Sequence, residues 1–180
     1  MIVLGIDPGT AVTGYGVVAC AGDGAVSLRE CGVIRTQPSA PLPERLRDLH
    51  DGIVEVIARQ RPDVVAVEGV FFGKNARSAV VLGHARGAIL LAAALHQVEV
   101  AEYPPAEVKS AVVGTGQASK EQVGFMVQKL LKLKDPPRPA DAADGVAVAL
   151  CHCFRGRGPL GKAESLRFSI ELLNKRKPRP

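Results

Sequence analysis

Four acidic residues stand where the pattern around them does not ask for an acid. Asp7 closes an otherwise apolar run, Ile2-Val3-Leu4-Gly5-Ile6, and Glu68 closes another, Val64-Val65-Ala66-Val67. A carboxylate at the end of a buried strand is costly unless it is paired or bound to a metal. Asp141 and Asp144 are spaced i, i+3, which sets them on one face of a helix. If the strands ending in Asp7 and Glu68 are neighbours and that helix packs on them, the four carboxylates converge. Converging carboxylates repel and stay ionised only beside cations, and hard oxygen ligands favour Mg²⁺ or Mn²⁺. Two such ions, about 3.5–4 Å apart, would clamp the attacking and leaving oxygens of phosphodiester cleavage.

Each acid also has an ordinary structural use. Asp7 precedes Pro8-Gly9 and suits a turn, and Glu68 could meet solvent at a strand end. Asp141 could be a helix N-cap with Asp144 three residues on, both favourable in a first turn.

The elements that must carry these acids follow from periodicity. Ile2–Ile6 reads as a buried strand, Thr13 to Cys20 as a second and Val26 to Thr36 as a third. Tight turns join the three into an antiparallel meander. Leu46, Leu49, Ile53, Val54 and Ile57 recur at helical spacing, and Arg61-Pro62-Asp63 stops that helix before the strand Val64–Val67. A long Ala/Val/Leu-rich helix is expected from about Arg77 to His96, a fifth strand from Val98 to Ala101, and a short helix from Pro104-Pro105 to Val113. Ser119 caps a helix to about Leu133, and Asp141 opens a last one to about Phe154. This order predicts an α/β domain with a mixed five-stranded sheet, a three-strand antiparallel meander plus parallel strands, flanked by helices.

Composition limits the classes of function. The chain has 180 residues, 47% hydrophobic and 23% charged, enough for one core and too apolar for wholesale disorder. The longest apolar run, Gly87 to Leu95, is short of the ~20 residues a membrane span needs. Asp7 interrupts the first apolar stretch, and no basic n-region precedes it, against a secretory signal. Cys20, Cys31, Cys151 and Cys153 are therefore expected as reduced cytosolic thiols, and Cys151-His152-Cys153 is spaced too tightly for a structural zinc site. Residues 1–150 hold 15 basic and 16 acidic residues, whereas residues 151–180 hold 8 and 2. The net charge of +5 thus comes from the C-terminal tail, which suits either a polyanion such as nucleic acid or a solubilising appendage.

Three glycine clusters are candidates for nucleotide binding. Gly14-Tyr15-Gly16 lies inside a strand and opens no helix, so it is not a dinucleotide fingerprint. Gly114-Thr115-Gly116 lacks the Gly-Lys-Ser/Thr ending of a P-loop. Gly5-Ile6-Asp7-Pro8-Gly9-Thr10 is similar to the first phosphate turn of actin-like ATPases, which need two lobes and a longer chain. A small ATPase lobe is one rival reading.

The motifs Gly5–Thr10, Thr13–Val17, Val67–Ala76, Leu82–Gly87, Val108–Gly114 and Asp141–Asp144 resemble, in order and spacing, the RuvC family of Holliday-junction resolvases across roughly residues 1–155. The resemblance implies an RNase H-like nuclease domain over 1–155, with a basic tail, 156–180, outside it. It implies a homodimer that nicks four-way junction DNA with Mg²⁺, two ions per active site, Mn²⁺ substituting, and Asp7, Glu68, Asp141 and Asp144 as catalytic and metal-binding acids. Family members vary between Asp and His at the position of Asp141, and the rival within this resemblance is a non-catalytic junction-binding protein. Phe71, Phe72, Lys74, Arg77, Lys109 and Lys120 match positions implied to contact DNA, Phe71 by stacking on a junction base. The Phe71-Phe72 pair could otherwise plug the core. A branch-migration helicase complex of the RuvA and RuvB type and a cytoplasmic location are implied, with no membrane. The helix from Arg77 to His96 is either the dimer interface or a buried core helix.

Overall fold

The computed structural model describes residues 1–69 and 76–155. The elements run β1 (Ile2–Asp7), β2 (Val12–Cys20), β3 (Val26–Arg35), α1 (Leu42–Gln60), β4 (Val64–Glu68), α2 (Ala76–Leu95), β5 (Glu99–Tyr103), α3 (Pro105–Val113), α4 (Lys120–Leu130) and α5 (Ala140–Arg155). The five strands form one sheet in the order β3-β2-β1-β4-β5. β1 is antiparallel to β2, and β2 to β3, while β1–β4 and β4–β5 are parallel. The α1 crossover brings β4 beside β1, in a register that pairs Ile6 with Val67 and so sets Asp7 next to Glu68.

Successive side chains of a strand point to opposite faces, and two cores result. Leu4, Ile6, Val17, Val65 and Val67 pack with α1 and α2 through Leu49, Ile53, Ala85, Ile89 and Ala93. Val3, Val18 and Ala66 pack on the other face with α3, α4 and α5. Covered on both sides, β1 and β4 have no polar alternation, which is why they read as continuous apolar runs. Asp7 and Glu68 are in phase with Val3 and Ala66, on the α5 face.

Four glycines set how closely α5 approaches that face. A Cβ on Gly16 would lie 2.6 Å from Val146 Cα, one on Gly5 would lie 2.3 Å from Ala149 N, and one on Gly14 would lie 1.8 Å from Asp141 O. From the helix side, a Cβ on Gly145 would lie 2.5 Å from Tyr15 Cα. The Gly14-Tyr15-Gly16 pair thus serves helix–sheet packing. Helix termini follow their local chemistry. Ser119 and Gln122 form a reciprocal capping box on α4, Pro105 opens α3, and Gly114 ends it at φ 93°.

Three expectations are corrected. Cys20 and Cys153, expected as free thiols, are joined in a disulfide with Cα atoms 6.1 Å apart, because the end of β2 and the last turn of α5 meet across 133 residues of sequence. α5 begins at Ala140, so Asp141 lies within its first turn and does not cap it. A run-length reading also missed that Ser78–Leu95, with mean hydropathy 1.6, is long and apolar enough to cross a membrane by length and composition. One face of that helix is core, with Ala85, Ile89, Ala92 and Ala93 fully buried. The other carries Val80, Leu91 and Leu95 at 59%, 54% and 65% exposure.

Candidate active site

Asp7 and Glu68 reach the site from the C-terminal ends of adjacent parallel strands, where the backbone leaves the sheet and an acid can face a cleft. Asp141 reaches it from the first turn of α5 and Asp144 from the second, laid over the same ends. Carboxylate oxygens of Asp7, Asp141 and Asp144 lie within 4.8 Å of one another, and Glu68 joins them through a hydrogen bond with Asp7. The structure therefore gathers all four acids.

Burial is the largest influence on both strand-end acids. It raises Asp7, helped by the nearby charges of Asp144 and Asp141 and opposed by the hydrogen bond from Glu68 and by Lys120. Burial, the Asp7 hydrogen bond and the Asp7 and Asp144 charges push Glu68 to about 8. Burial and the neighbouring negative charges thus disfavour ionisation of both Asp7 and Glu68 at once. Lys120 Nζ contacts Asp144 Oδ2 at 2.7 Å, and this bond raises the lysine. Its position follows from the Ser119 cap, which starts α4 at Lys120. Lys109, on α3, lines the same 220 Å³ cleft with Asp7, Glu68, Lys120 and Asp144.

The turn after Asp7 is held from several sides. Thr13 Oγ1 donates to Gly9 O (2.7 Å) and accepts from Gly9 N (3.2 Å). Thr36 Oγ1 donates to Thr10 O (2.6 Å), and Arg45 bonds both Thr10 O and Thr36 Oγ1. Thr36 and Arg45 were missed from sequence, having no motif to mark them. Of the other DNA-contacting candidates, Phe71, Phe72 and Lys74 lie outside the described residues, as does the side chain of Arg77. The Cys151-His152-Cys153 triplet disperses. Cys151 is buried, which drives its thiol to about 12; His152 Nδ1 meets Tyr103 Oη at 2.7 Å; and Cys153 pairs with Cys20.

A close-set group of carboxylates is a hard, oxygen-only donor set of the kind divalent cations take. On a mixed sheet of this order, with acids at the ends of β1 and β4 and on the helix across them, it defines a nuclease of RNase H-like fold. A family model described as Crossover junction endodeoxyribonuclease RuvC matches residues 3–152. The RuvC of Desulforamulus reducens is 51% identical over 152 residues, 84% of this chain and 93% of its own length. That of Shewanella loihica is 54% identical over 151 residues, 84% of this chain and 86% of its own. Among solved structures, Thermus thermophilus RuvC matches with a TM-score of 0.80 at 44% identity, covering 87% of this chain and 96% of that one. The same protein in complex with a Holliday junction substrate matches at 0.80 and 41% identity, over 88% and 97%. The yeast mitochondrial Holliday junction resolvase, 13% identical with a TM-score of 0.61, shares the fold. The chain belongs to the RuvC family of crossover junction endodeoxyribonucleases.

Proposed function

We propose that this protein resolves four-way DNA junctions by paired symmetric nicks, leaving 5′-phosphate and 3′-hydroxyl ends. The observation that carries this reading is the group of Asp7, Asp141 and Asp144 oxygens within 4.8 Å of one another, rimmed by Lys109 and Lys120, in a chain of this family. Asp7, Glu68, Asp141 and Asp144 would hold two Mg²⁺, or Mn²⁺. When bound, these ions supply an activated water and charge stabilisation at the departing 3′-oxygen.

The chain's own groups do the rest. Four carboxylates on three separate elements form a rigid anionic floor. Asp7 and Glu68, whose burial disfavours a double negative charge, would be held ionised by bound cations. Lys120 is tethered to Asp144 across the cleft, and Lys109 lies beside it, so both ammonium groups stand ready to take the phosphates flanking the cut. Phe71 and Phe72 would stack on unpaired bases at the junction centre, with Lys74 and Arg77 on nearby phosphates.

Two nicks on opposed strands need two sites related by a two-fold axis. The outward face of α2, with exposed Leu91 and Leu95, and a 450 Å³ groove between α1 and α2 lined by Leu46, His50, His84 and Leu91, offer an apolar surface for a second copy. The nuclease domain spans 1–155. The basic tail, 156–180, would add phosphate contacts, and a branch-migration helicase complex of the RuvA and RuvB type would deliver the junction in the cytoplasm.

The test is a labelled synthetic four-way junction, incubated with and without Mg²⁺. Symmetric nicked-duplex products that DNA ligase seals are expected with Mg²⁺. Equal cleavage in excess EDTA, or cleavage of linear duplex at the same rate, would refute the reading.

A further inference from the structure

The acidic cleft is small. Its volume is about 220 Å³. Off its edge opens a larger trough of about 540 Å³, between α4 and the proline-rich segment that leads into α5. Lys120 and Asp144 line both spaces, so the trough is continuous with the site. Its walls are otherwise of a different kind. Phe125, Pro136 and Pro137 give it apolar sides, Glu121 lines it as well, and Arg138 puts an exposed guanidinium at its margin.

The trough is held open by its own bonds. Gln128, one turn on from Gly124 along α4, donates from Nε2 to Lys134 O (2.9 Å), and Leu133 N donates to Gln128 O (2.9 Å). These tie the proline segment to the helix that faces it. Lys129 Nζ sits over the Phe125 ring, 5.4 Å from its centroid, while Lys120 and Arg138 bring two cations to the lining and Glu121 and Asp144 two acids.

An apolar slot with Lys120 at its inner end and the exposed Arg138 at its margin, opening directly from the carboxylate site, suits a nucleotide, which has a π-face to stack and a phosphate to pair. We propose that the trough is a nucleotide subsite. It takes the base of a nucleotide next to the scissile phosphate, stacked against Phe125 and the Pro136-Pro137 wall, with Arg138 on the adjoining phosphate. This rests on the junction-cleaving reading above and assigns to these residues a part in choosing where along a strand the cut falls.

The experiment is single-turnover cleavage, by the full chain with Mg²⁺, of junctions carrying an abasic residue at one or other position flanking the cut. Wild type should slow about tenfold on one of these junctions, the order of a lost base–aromatic stack. Phe125→Leu, which keeps apolar bulk and so spares the fold, should be about tenfold slow on the intact junction and lose little more on that abasic one. Arg138→Gln, at an exposed position, should melt as wild type and flatten the slope of log K against log salt by about 0.9, one phosphate contact. If Phe125→Leu cuts the intact junction at the wild-type rate, or if its loss and the abasic loss multiply at both positions, the subsite is overturned. Those results presuppose that wild type cuts intact junctions; if it cuts none, it is the functional reading that has failed.

Discussion

Asp144 is both a candidate metal ligand and the partner of Lys120 at 2.7 Å, and a single atom change separates the two uses. Asn keeps the size and hydrogen-bonding shape of Asp, and in the second turn of α5 it forgoes at most the ~0.3–1 kcal/mol of dipole interaction open to a first-turn acid. Lys120 is well exposed and remains solvated without its partner. Asp144→Asn should therefore melt close to wild type and bind a four-way junction as well or better, since repulsion of phosphate falls. Its cleavage rate should drop by orders of magnitude. Asp141→Asn should lose less, because that position accepts His in the resembling family. Near-normal nicking by a folded Asp144→Asn protein would remove α5 from the chemistry. Glu68 supports a second prediction at this scale. Its folded value, about 8, is above the ordinary 4.5, so its contribution to stability is complete below 4.5 and lost as pH rises through 8. Glu30 runs the other way. Arg59, Tyr15 and Gln60 hold it at about 2, so its contribution is present above 4.5 and lost as pH falls towards 2. In EDTA the melting temperature should fall between pH 5 and 8, Glu68→Gln should flatten that limb, and the acid limb below 4.5 should remain. A wild-type melting temperature that climbs from pH 5 to 8, unaltered by Glu68→Gln, would contradict this.

The element that decides the site is α5, which carries two of the four acids and is held against the sheet by absent side chains. A methyl on Gly145 would press to 2.5 Å from the Tyr15 backbone, which a strand in mid-sheet cannot yield. Gly145→Ala should destabilise the protein by about 1–3 kcal/mol, the range for overpacking. Cleavage should fall further than that destabilisation accounts for, because the helix can relieve the clash only by lifting Asp141 and Asp144 away from Asp7. Gly124→Ala, on α4 with nothing within 4 Å of the added carbon, is the stability control. It should gain about 0.4–1 kcal/mol from lost unfolded-state entropy. Thermal melts of the two variants beside single-turnover rates for Gly145→Ala make the comparison, and equal melts would show that the helix–sheet spacing is softer than the geometry implies.

For the molecule as a whole, the open question is what covers α2. Its inner face is core, while its outer face exposes Leu91 and Leu95 beside the groove toward α1. Leu91 and Leu95 stand one turn apart and so form one apolar strip, and a two-fold pairing through it would set two acidic clefts on one junction. Leu91→Glu combined with Leu95→Glu should leave the fold intact, both side chains being exposed. It should convert a dimer to a monomer in sedimentation at micromolar concentration. The monomer should nick single strands without the paired second cut. A wild-type chain that is strictly monomeric, with or without junction DNA, would sink the pairing.

Much of this protein was legible because its key residues break local patterns. An acid ending an apolar run, at Asp7 and again at Glu68, is visible without any fold, since the run itself announces a buried strand. The i, i+3 spacing of Asp141 and Asp144 is equally local. The capping of α4 at Ser119 and the order of strands and helices follow from periodicity and turn chemistry, which act over a few residues. Other features depend on which distant segments meet. Cys20 and Cys153 lie 133 residues apart, and only the seating of α5 along β2 brings them together. Thr36 and Arg45 look ordinary until β3 and α1 bring them to the turn after Asp7. The trough beside the acids exists because the segment after α4 folds back on it. The same holds for the glycines: Gly5, Gly14, Gly16 and Gly145 read as isolated small residues, and only the packed helix shows that they set the distance across which four carboxylates meet. Local free-energy preferences are written along the chain, whereas proximity between distant segments is decided by how the two apolar faces of the sheet are covered.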